Sequence, residues 1–386
     1  MIINMKILIV RTFPDFLDPA KYNVQEIGLA KALTKAGHEV GIVLYNGKNK
    51  DKICEMPVGC KNGIKKIKIY YLYGFNFFKN GIFPSLKKVI EQYDIIQVHE
   101  YDQIASWMCY TWSKKPVVVY HGPYYDSFNK GYNLKCKVFD HTFLKIKQKR
   151  NVLCLTKSRA AADFLRDKGF RRVMPVGVGL DIENLTQEIS SEEQKKEGRK
   201  PYRLLYIGKL EERRNLFFLL EVFRGLLQKE DAFELTVIGN GEKAYKEAFL
   251  QKVEDLIGEK KLQYIEKISQ KEIGDYYRKA DLMVFPSRYE IFGMVLLEAL
   301  YYNLPIASSD NGGADMLIRN EENGLIISQF DCKIWVERIY DLLSNLEKYD
   351  RILTNLRNED KRKITWDGIA DIMIQKYREI YAETMQ

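Results

Sequence analysis

The chain has 386 residues, of which 46% are hydrophobic and 29% charged, a balance typical of a folded globular protein and not of a disordered one. This length is too great for one ordinary core and predicts two domains. No run of about 18 apolar residues is present, so we expect no transmembrane helix, and the apolar segment 7–10 is too short for a signal peptide. Six cysteines without a CxxC pair favour a reduced, cytoplasmic setting, and neither a zinc site nor a disulfide framework.

The net charge of +9 is unevenly distributed. Residues 1–185 carry a balance of +14, whereas the remainder carries −5. A positive field over the first half favours an anionic partner, and the candidates are a membrane surface, a lipid phosphate or a nucleic acid.

In the first half, short apolar runs alternate with helical patterns. Runs of Ile, Val and Leu without strict alternation are typical of parallel strands that are covered by helices on both faces. The predicted strands are residues 6–10, 39–44, 67–73, 95–99, 117–120, 152–155 and 173–176. The predicted helices include residues 24–35, 103–111 and 158–168.

Residues 190–200 contain no apolar side chain and predict an exposed linker. The alternation then restarts, which indicates a second α/β unit and a doubly wound fold in each half. The predicted strands are residues 202–207, 235–238, 262–265, 282–285, 306–308 and 325–327, with helices at 216–227, 243–257, 271–279 and 295–302. Residues 331–386 are expected to be nearly all helical, with Trp335 and Trp366 as packing anchors.

The most specific motif follows the predicted strand 282–285. Glu290 lies in a loop, and Glu298 lies on the helix predicted to begin near Gly293, with seven residues between the two acids. The N-terminus of a helix offers unpaired N–H groups and a positive dipole end, which favour a diphosphate. Carboxylates accept paired hydrogen bonds from diols, so either acid can bind a sugar ring.

This motif, with Phe292-Gly293 after the first acid and Ala299 after the second, resembles that of the retaining glycosyltransferases of the GT-B architecture, specifically family 4. The resemblance implies an α/β fold of two Rossmann-like domains that face a central cleft. It implies that Glu290 contacts the donor sugar and Glu298 the nucleotide ribose, while the backbone at Phe292, Gly293 and Met294 cradles the sugar and phosphate. It also implies an acceptor domain at 1–185, a donor domain at 200–364, and a C-terminal helix, 365–386, that packs back on the first domain.

Other donor-site residues follow from the same resemblance. The segment after the strand 202–207 resembles the family's phosphate-binding turn, which implies that Gly208, Lys209 and Arg214 bind the donor diphosphate. Lysine stands at the first basic position where arginine is usual, and arginine at the second where lysine is usual, which changes the geometry of each contact. Gly239 matches a glycine turn at the cleft, and Ile268 falls where the family's backbone lines the nucleobase.

The acceptor side is expected in the first half. His121 resembles the family's strand-end histidine at the reaction centre, so the implied catalytic set is His121 with Glu290, Lys209 and Arg214. His99 also ends a predicted strand, where doubly wound folds bind ligands. Many relatives have a Gly-Gly pair in the loop after the first strand, but Ala20 and Lys21 stand here, and we expect Lys21, Tyr22 and Asn23 to line the acceptor side.

The sequence therefore predicts a retaining hexosyltransferase that uses a nucleoside diphosphate sugar, with UDP as the expected carrier, and a hydroxyl acceptor. As the resemblance implies, the acceptor is a lipid-linked or bacterial surface glycan or glycolipid, and neither a metal nor another cofactor is required. The lysines and aromatic residues of segment 65–88 predict either peripheral contact with the inner face of the membrane or core packing with a solvated edge.

Two alternatives stay open at this point. A GT-B epimerase or phosphorylase shares the architecture. A non-catalytic binder of a nucleic acid or a membrane surface would also use a basic first half, although no basic helix has recognition-motif spacing, so we expect no nucleic-acid partner.

Overall fold

The computed structural model describes residues 4–61, 63–144, 151–183, 185 and 200–384. The chain divides into two compact units. Unit 1 comprises Met1–Asp181 and Arg362–Gln386, and unit 2 comprises Ile182–Lys361. Of the predicted linker, 190–200, only Lys200 lies within the described residues.

Unit 1 is built on an eight-stranded sheet in the order β10-β9-β8-β7-β1-β2-β4-β3. Its strands are β1 (Lys6–Val10), β2 (Glu39–Tyr45), β3 (Lys52–Cys60), β4 (Gly63–Leu72), β7 (Ile95–His99), β8 (Val117–His121), β9 (Leu153–Thr156) and β10 (Arg172–Pro175). All neighbours pair in parallel except β3, which runs antiparallel to β4 at the edge. A separate hairpin is formed by β5 (Phe75–Phe77) and β6 (Asn80–Ile82).

The sequence interpretation missed β3 and the hairpin. The side chains of β3 are mostly exposed and the strand contains Pro57, so it lacks the apolar run that marks the buried strands. Proline is tolerated there because an edge strand needs fewer ladder hydrogen bonds. Two lysines of segment 65–88 pair across the sheet, Lys66 with Glu55 and Lys68 with Glu39, on a solvated edge.

Helices cover both faces of this sheet. They are α1 (Gln25–Lys35), α2 (Leu86–Ile90), α3 (Ile104–Trp112), α4 (Lys130–Thr142), α5 (Arg159–Asp167) and the C-terminal α14 (Trp366–Glu383). Helix α14 packs against α1, and a side chain at Gly28 would overlap the Trp366 indole, with only 2.2 Å to its Nε1. Trp366 is buried, as expected for a packing anchor, and its helix belongs to unit 1.

Unit 2 contains a fully parallel six-stranded sheet in the order β13-β12-β11-β14-β15-β16. Its strands are β11 (Tyr202–Ile207), β12 (Phe233–Ile238), β13 (Leu262–Ile265), β14 (Leu282–Phe285), β15 (Ile306–Ser308) and β16 (Gly324–Ile326). Its helices are α6 (Leu216–Lys229), α7 (Lys243–Lys252), α8 (Glu254–Gly258), α9 (Gln270–Lys279), α10 (Met294–Tyr301), α11 (Gly312–Leu317), α12 (Cys332–Ser344) and α13 (Leu346–Asn358).

The strand order of each unit reverses at one point, between β1 and β7 in unit 1 and between β11 and β14 in unit 2. Open α/β sheets bind ligands outside the carboxyl ends of their strands at this switch point. The two switch points therefore define where a site is expected in each unit. No helix in the described part of the chain is both long and apolar enough to span a bilayer.

Candidate functional site

The loops at the switch point of unit 2 are held together by close contacts between main chains. Gly239 has a φ of +149°, and a Cβ on it would lie 1.8 Å from the Gly208 carbonyl oxygen. A Cβ on Gly313 would lie 2.0 Å from the Phe292 carbonyl oxygen. Only glycine permits these approaches. Gly239 therefore lets the turn after β12 contact the turn after β11 at Gly208, and Gly313 lets the start of α11 contact the loop after β14 at Phe292.

Arg214 and Glu290 meet at this edge. Arg214 follows β11 in a short 3-10 turn, Glu290 follows β14, and the guanidinium pairs with the carboxylate. The side chain of each is nearly buried, with 12% of Arg214 and 11% of Glu290 exposed. The guanidinium also lies over the ring of Phe285, 5.2 Å from its centre, and burial lowers the pKa of Arg214. A partly desolvated guanidinium beside a loop is well suited to bind an anion.

The second acid of the motif, Glu298, is held in place by a hydrogen bond from Tyr277. It lies on α10, is buried, and accepts a 2.6 Å hydrogen bond from the Tyr277 hydroxyl of α9. The Tyr277 ring stacks on Tyr302 with a centroid distance of 5.3 Å and an interplanar angle of 12°. This packing fixes the hydroxyl, and the hydroxyl in turn fixes the orientation of the carboxylate.

Buried polar groups brace the loop that carries Glu290. The Ser309 hydroxyl donates to the Ser287 carbonyl at 2.6 Å, and the Ser287 hydroxyl donates to the Tyr289 carbonyl at 3.0 Å. The Asn311 side chain caps α11 by accepting from the amides of Gly313 and Ala314. These groups satisfy one another's hydrogen-bonding capacity within the protein, which favours a single conformation of the loop.

The remaining residues predicted to bind the donor lie outside the contacts of Arg214, Glu290 and Glu298 described above. Gly293 is the N-cap of α10 with a φ of +79°, and Met294 is its first residue. Lys209 is exposed, and the Tyr206 hydroxyl donates to its carbonyl at 3.0 Å. Ile268 lies half-buried in the loop between β13 and α9.

In unit 1, His99 ends β7 at the switch point, and its contacts anchor it within the fold. Its Nδ1 lies 3.1 Å from a carboxylate oxygen of Glu26, which Arg11 also contacts at 2.7 Å. Burial opposes ionisation of Glu26, but the contacts with His99 and Arg11 outweigh it and hold the pKa well below the usual range. The Arg11–Glu26–His99 cluster therefore joins the start of α1 to the ends of β1 and β7.

His121 ends β8 and is completely buried. Its Nδ1 lies 2.5 Å from Glu100, and the other carboxylate oxygen of Glu100 lies 3.2 Å from Lys157. Burial disfavours the charged form of Glu100, but Lys157 and His121 hold its pKa well below the usual range. Glu100 has a φ of +65°, a conformation that costs a non-glycine residue energy and is concentrated at functional sites.

The predicted acceptor loop lies after β1. Lys21 is exposed, and Tyr22 and Asn23 are half-buried. The side-chain oxygen of Asn23 accepts from the Asp181 amide at 3.2 Å, so Asn23 connects this loop to the end of the first segment of unit 1.

The structure thus brings the predicted donor residues of unit 2 to its carboxyl edge, and the histidines of unit 1 to the corresponding edge of the other sheet. Sequence reasoning missed the groups that position them: Arg11, Glu26, Glu100, Lys157, Ser287, Tyr277 and Asn311. Only Glu100 carried a local signal, because it directly follows a strand-end histidine. Ser287 lies in the same loop as Glu290, and the other residues come from distant segments that a single sequence does not pair.

Two family models match most of the chain. Residues 27–183 match the model described as Glycosyltransferase Family 4, and residues 187–359 match the one described as Glycosyl transferases group 1. The chain belongs to the GT-B glycosyltransferases of the family 4 type. The boundary between the two matched segments, near residue 185, falls close to the boundary between the two units.

Curated relatives of this glycosyltransferase match it over part of their length. An uncharacterized glycosyltransferase of Methanocaldococcus jannaschii is 28% identical over 182 residues, which cover 45% of this chain and 44% of the relative. A D-inositol 3-phosphate glycosyltransferase of Corynebacterium efficiens is 24% identical over 240 residues, or 59% of this chain and 56% of that protein. The chain therefore spans about half the length of the curated relatives it matches.

Solved structures share the fold over nearly the whole glycosyltransferase chain. Sucrose-phosphate synthase from Thermosynechococcus elongatus superposes with a TM-score of 0.72 at 18% identity, covering 98% of this chain and 100% of that one. The Anabaena protein HepE in complex with UDP superposes with a TM-score of 0.68 at 15% identity, covering 97% and 100%. The predicted fold class, α/β with two Rossmann-like domains of GT-B type, is confirmed.

Proposed function

We propose that this glycosyltransferase moves a hexosyl unit from a nucleoside diphosphate sugar to a hydroxyl group, with unit 2 binding the donor and unit 1 the acceptor. The observation that carries the proposal is the carboxyl edge of unit 2, where Arg214 pairs with Glu290 close to the N-terminus of α10. A guanidinium matches the geometry of a phosphate, and the positive end of a helix favours the same charge.

A uridine diphosphate sugar is the donor we propose. The support is that HepE, which shares the fold, has been solved in complex with UDP and with UDP-glucose. The ion pair of Arg214 with Glu290 means that an arriving diphosphate competes with the Glu290 carboxylate for the guanidinium. A carboxylate released in this way is positioned to accept hydrogen bonds from the hydroxyls of the donor sugar.

We further propose that transfer retains the configuration of the donor sugar. Charge that develops on the leaving diphosphate would be stabilised by Arg214, Lys209 and the N-terminus of α10, and we expect neither a metal nor another cofactor to be required. In this proposal the released Glu290 carboxylate accepts hydrogen bonds from the donor sugar, which is a positioning role and not that of a nucleophile.

For the acceptor, we propose a hydroxyl in a bacterial surface polysaccharide or glycolipid, with the protein in the cytoplasm at the inner face of the membrane. The support is the excess charge of +14 in residues 1–185, which favours anionic lipid surfaces. Cell fractionation at low and high salt tests this location, since electrostatic association weakens with salt.

The direct test of the function is a donor screen followed by a transfer assay. A UDP-sugar that binds the folded protein raises its Tm by mass action, whereas uridine, which lacks phosphate, should not do so at the same concentration. Glu290→Gln keeps the shape of the side chain and should reduce transfer at least about a hundredfold while the fold stays intact, and near-normal turnover would contradict the assignment. NMR of the product gives the anomeric configuration, and activity in EDTA tests metal independence.

Product identity separates the remaining alternatives. An epimerase would return a changed sugar nucleotide without an acceptor product, and a phosphorylase would consume inorganic phosphate. Steeply salt-dependent binding of nucleic acid without donor turnover would identify a non-catalytic binder.

A further inference from the structure

Unit 1 contains a groove of about 780 Å³ that the proposed chemistry does not yet use. Its wall includes Phe77 and Phe78 from the β5–β6 hairpin, and Leu134 and Val138 from α4. We call it the aromatic groove. A cavity of this size is typical of a small-molecule site, and most such sites are apolar with a few polar groups.

The apolar side chains at the mouth are unusually exposed. Phe78 is 83% exposed and Phe77 is 53% exposed, and across the groove Leu134 is 65% and Val138 is 54% exposed. Leu134 and Val138 are four residues apart on α4, so they lie on one face of that helix. The two elements are distant in sequence yet present one continuous apolar surface, which marks a binding site more often than chance exposure does.

The hairpin turn gives an independent indication of function. Phe78 and Lys79 form its two-residue loop and have φ values of +48° and +62°. Turns of this type strongly favour Asn-Gly, because both positions need a left-handed backbone. A bulky aromatic residue held there at the cost of strain points to a role for the exposed ring.

The hairpin is anchored beside the switch point of unit 1. The Gly81 amide donates to the Thr12 carbonyl at 3.2 Å, and the Thr12 hydroxyl donates to the His99 carbonyl. The Asn80 side chain accepts from the Ile104 amide at 3.3 Å, where α3 begins. The aromatic groove therefore opens at the edge of the sheet that carries the strand-end histidines.

Polar groups form the buried part of the wall. Glu100, which contacts His121, lines the groove together with Asp102 and Gln103. Asp102 is completely buried, and Lys135 lies 3.0 Å from its Oδ2. Its Oδ1 and the Oε1 of Gln103 have no hydrogen-bond partner among the residues that the structure describes. Buried acceptors without partners are costly unless a ligand donates to them.

We propose that the aromatic groove binds the acceptor itself, and that this acceptor is an amphiphile with a hydroxylated head and a hydrocarbon tail. Hydroxyls of the head group donate to Asp102 and Gln103, and another hydroxyl lies next to Glu100 and His121. The tail lies between the hairpin and α4. This inference rests on the proposed glycosyl transfer and specifies its substrate class. The apolar mouth is complementary to the hydrocarbon tail of such a ligand, and the unpartnered acceptors are complementary to its hydroxyls.

The test uses n-octyl, n-decyl and n-dodecyl glucoside below their critical micelle concentrations as probes, with binding measured by calorimetry in the absence of donor. Each methylene that enters the groove should tighten binding up to about fourfold. Phe78→Asn should weaken dodecyl glucoside binding at least tenfold, while the Tm stays equal to or rises above that of the wild-type protein, because asparagine suits the turn. Leu134→Ser should weaken binding similarly, whereas Leu346→Ser, at a position 61% exposed in unit 2, should not.

Affinity that is independent of chain length, or unchanged in Phe78→Asn and Leu134→Ser, would overturn the proposal. If these variants instead lose binding only to vesicles that contain phosphatidylglycerol, the surface docks on a bilayer and the groove is not the acceptor site. The UDP-induced rise in Tm tests the proposed donor binding by unit 2 and does not depend on the aromatic groove. A normal UDP response with no alkyl glucoside binding would therefore reject this inference and leave the proposed function standing.

Discussion

Replacing Tyr277 by phenylalanine removes the hydroxyl that donates to Glu298 and leaves the stacked ring in place. The bond is 2.6 Å long, and both side chains are buried. A hydrogen bond to a charged acceptor contributes about 1.5–3 kcal/mol. For a unit of this size, 1 kcal/mol corresponds to a change in Tm of about 2–4 °C, so we expect a loss of roughly 3–12 °C.

We expect the Glu298 carboxylate to bind the donor ribose, so the same change should weaken donor binding, because the carboxylate loses the contact that orients it. A cost of about 1–2 kcal/mol corresponds to a rise of roughly five- to thirtyfold in the KM for the donor. Steady-state kinetics with a UDP-sugar measures this effect, and differential scanning fluorimetry measures the Tm. We expect kcat to change little, since the ribose is not part of the bond that breaks.

Tyr349→Phe is the matched control. The Tyr349 hydroxyl donates at 2.7 Å to the Asp281 carbonyl, so this variant also loses a buried tyrosine hydrogen bond in unit 2, but with a neutral acceptor. Its Tm should fall by roughly 1–6 °C, from about 0.5–1.5 kcal/mol, with the donor KM unchanged. Equal changes in KM for the two variants would refute the reasoning that Tyr277 acts on the donor through Glu298.

Three further outcomes are expected. Gly239→Ala places a Cβ 1.8 Å from the Gly208 carbonyl oxygen and should destabilise unit 2 by about 3 kcal/mol or more, whereas Gly258→Ala, with no atom within 4 Å, should change the Tm little. The pKa of Glu100 is lower in the folded protein, so its charge stabilises the fold above the ordinary glutamate pKa of about 4.3, and this contribution is lost as pH falls through the folded pKa. The Tm should therefore fall more steeply between about pH 5 and pH 3 in the wild-type protein than in Glu100→Gln. The same dependence of Tm on pH in both proteins would contradict a stabilising contribution from the Glu100 charge. Arg214→Lys keeps the charge but not the planar fork, and we expect kcat/KM to fall by about tenfold to a hundredfold in initial-rate assays.

Much of the fold was predictable because buried parallel strands are continuous apolar runs. The strands at 6–10, 95–99, 202–207 and 282–285 have the predicted bounds, since each crosses a core covered on both faces. Strand β3 was not predictable in this way, because its stability comes from pairing with β4 at an exposed edge. The β5–β6 hairpin was missed because Phe78-Lys79 is not a usual turn sequence.

For the candidate site, the sequence provided the residues that follow strands but not their partners. The pattern around Glu290 and Glu298 is local, so a single sequence contains it. The contact of Tyr277 with Glu298 joins two helices, and that of Arg11 with Glu26 joins a strand end to a helix. Such pairs are set by the packing of the sheet, which no local pattern encodes.

The central claim is that Arg214, beside the N-terminus of α10, binds the diphosphate of the donor. Isothermal titration of UDP and of uridine into the wild-type protein, Arg214→Met and His121→Ala measures it most directly, with circular dichroism to confirm the fold. We predict that Arg214→Met weakens UDP binding by about a hundredfold but leaves uridine binding unchanged, and that His121→Ala binds UDP as the wild-type protein does. Equal UDP affinity in the wild-type protein and Arg214→Met would contradict the claim.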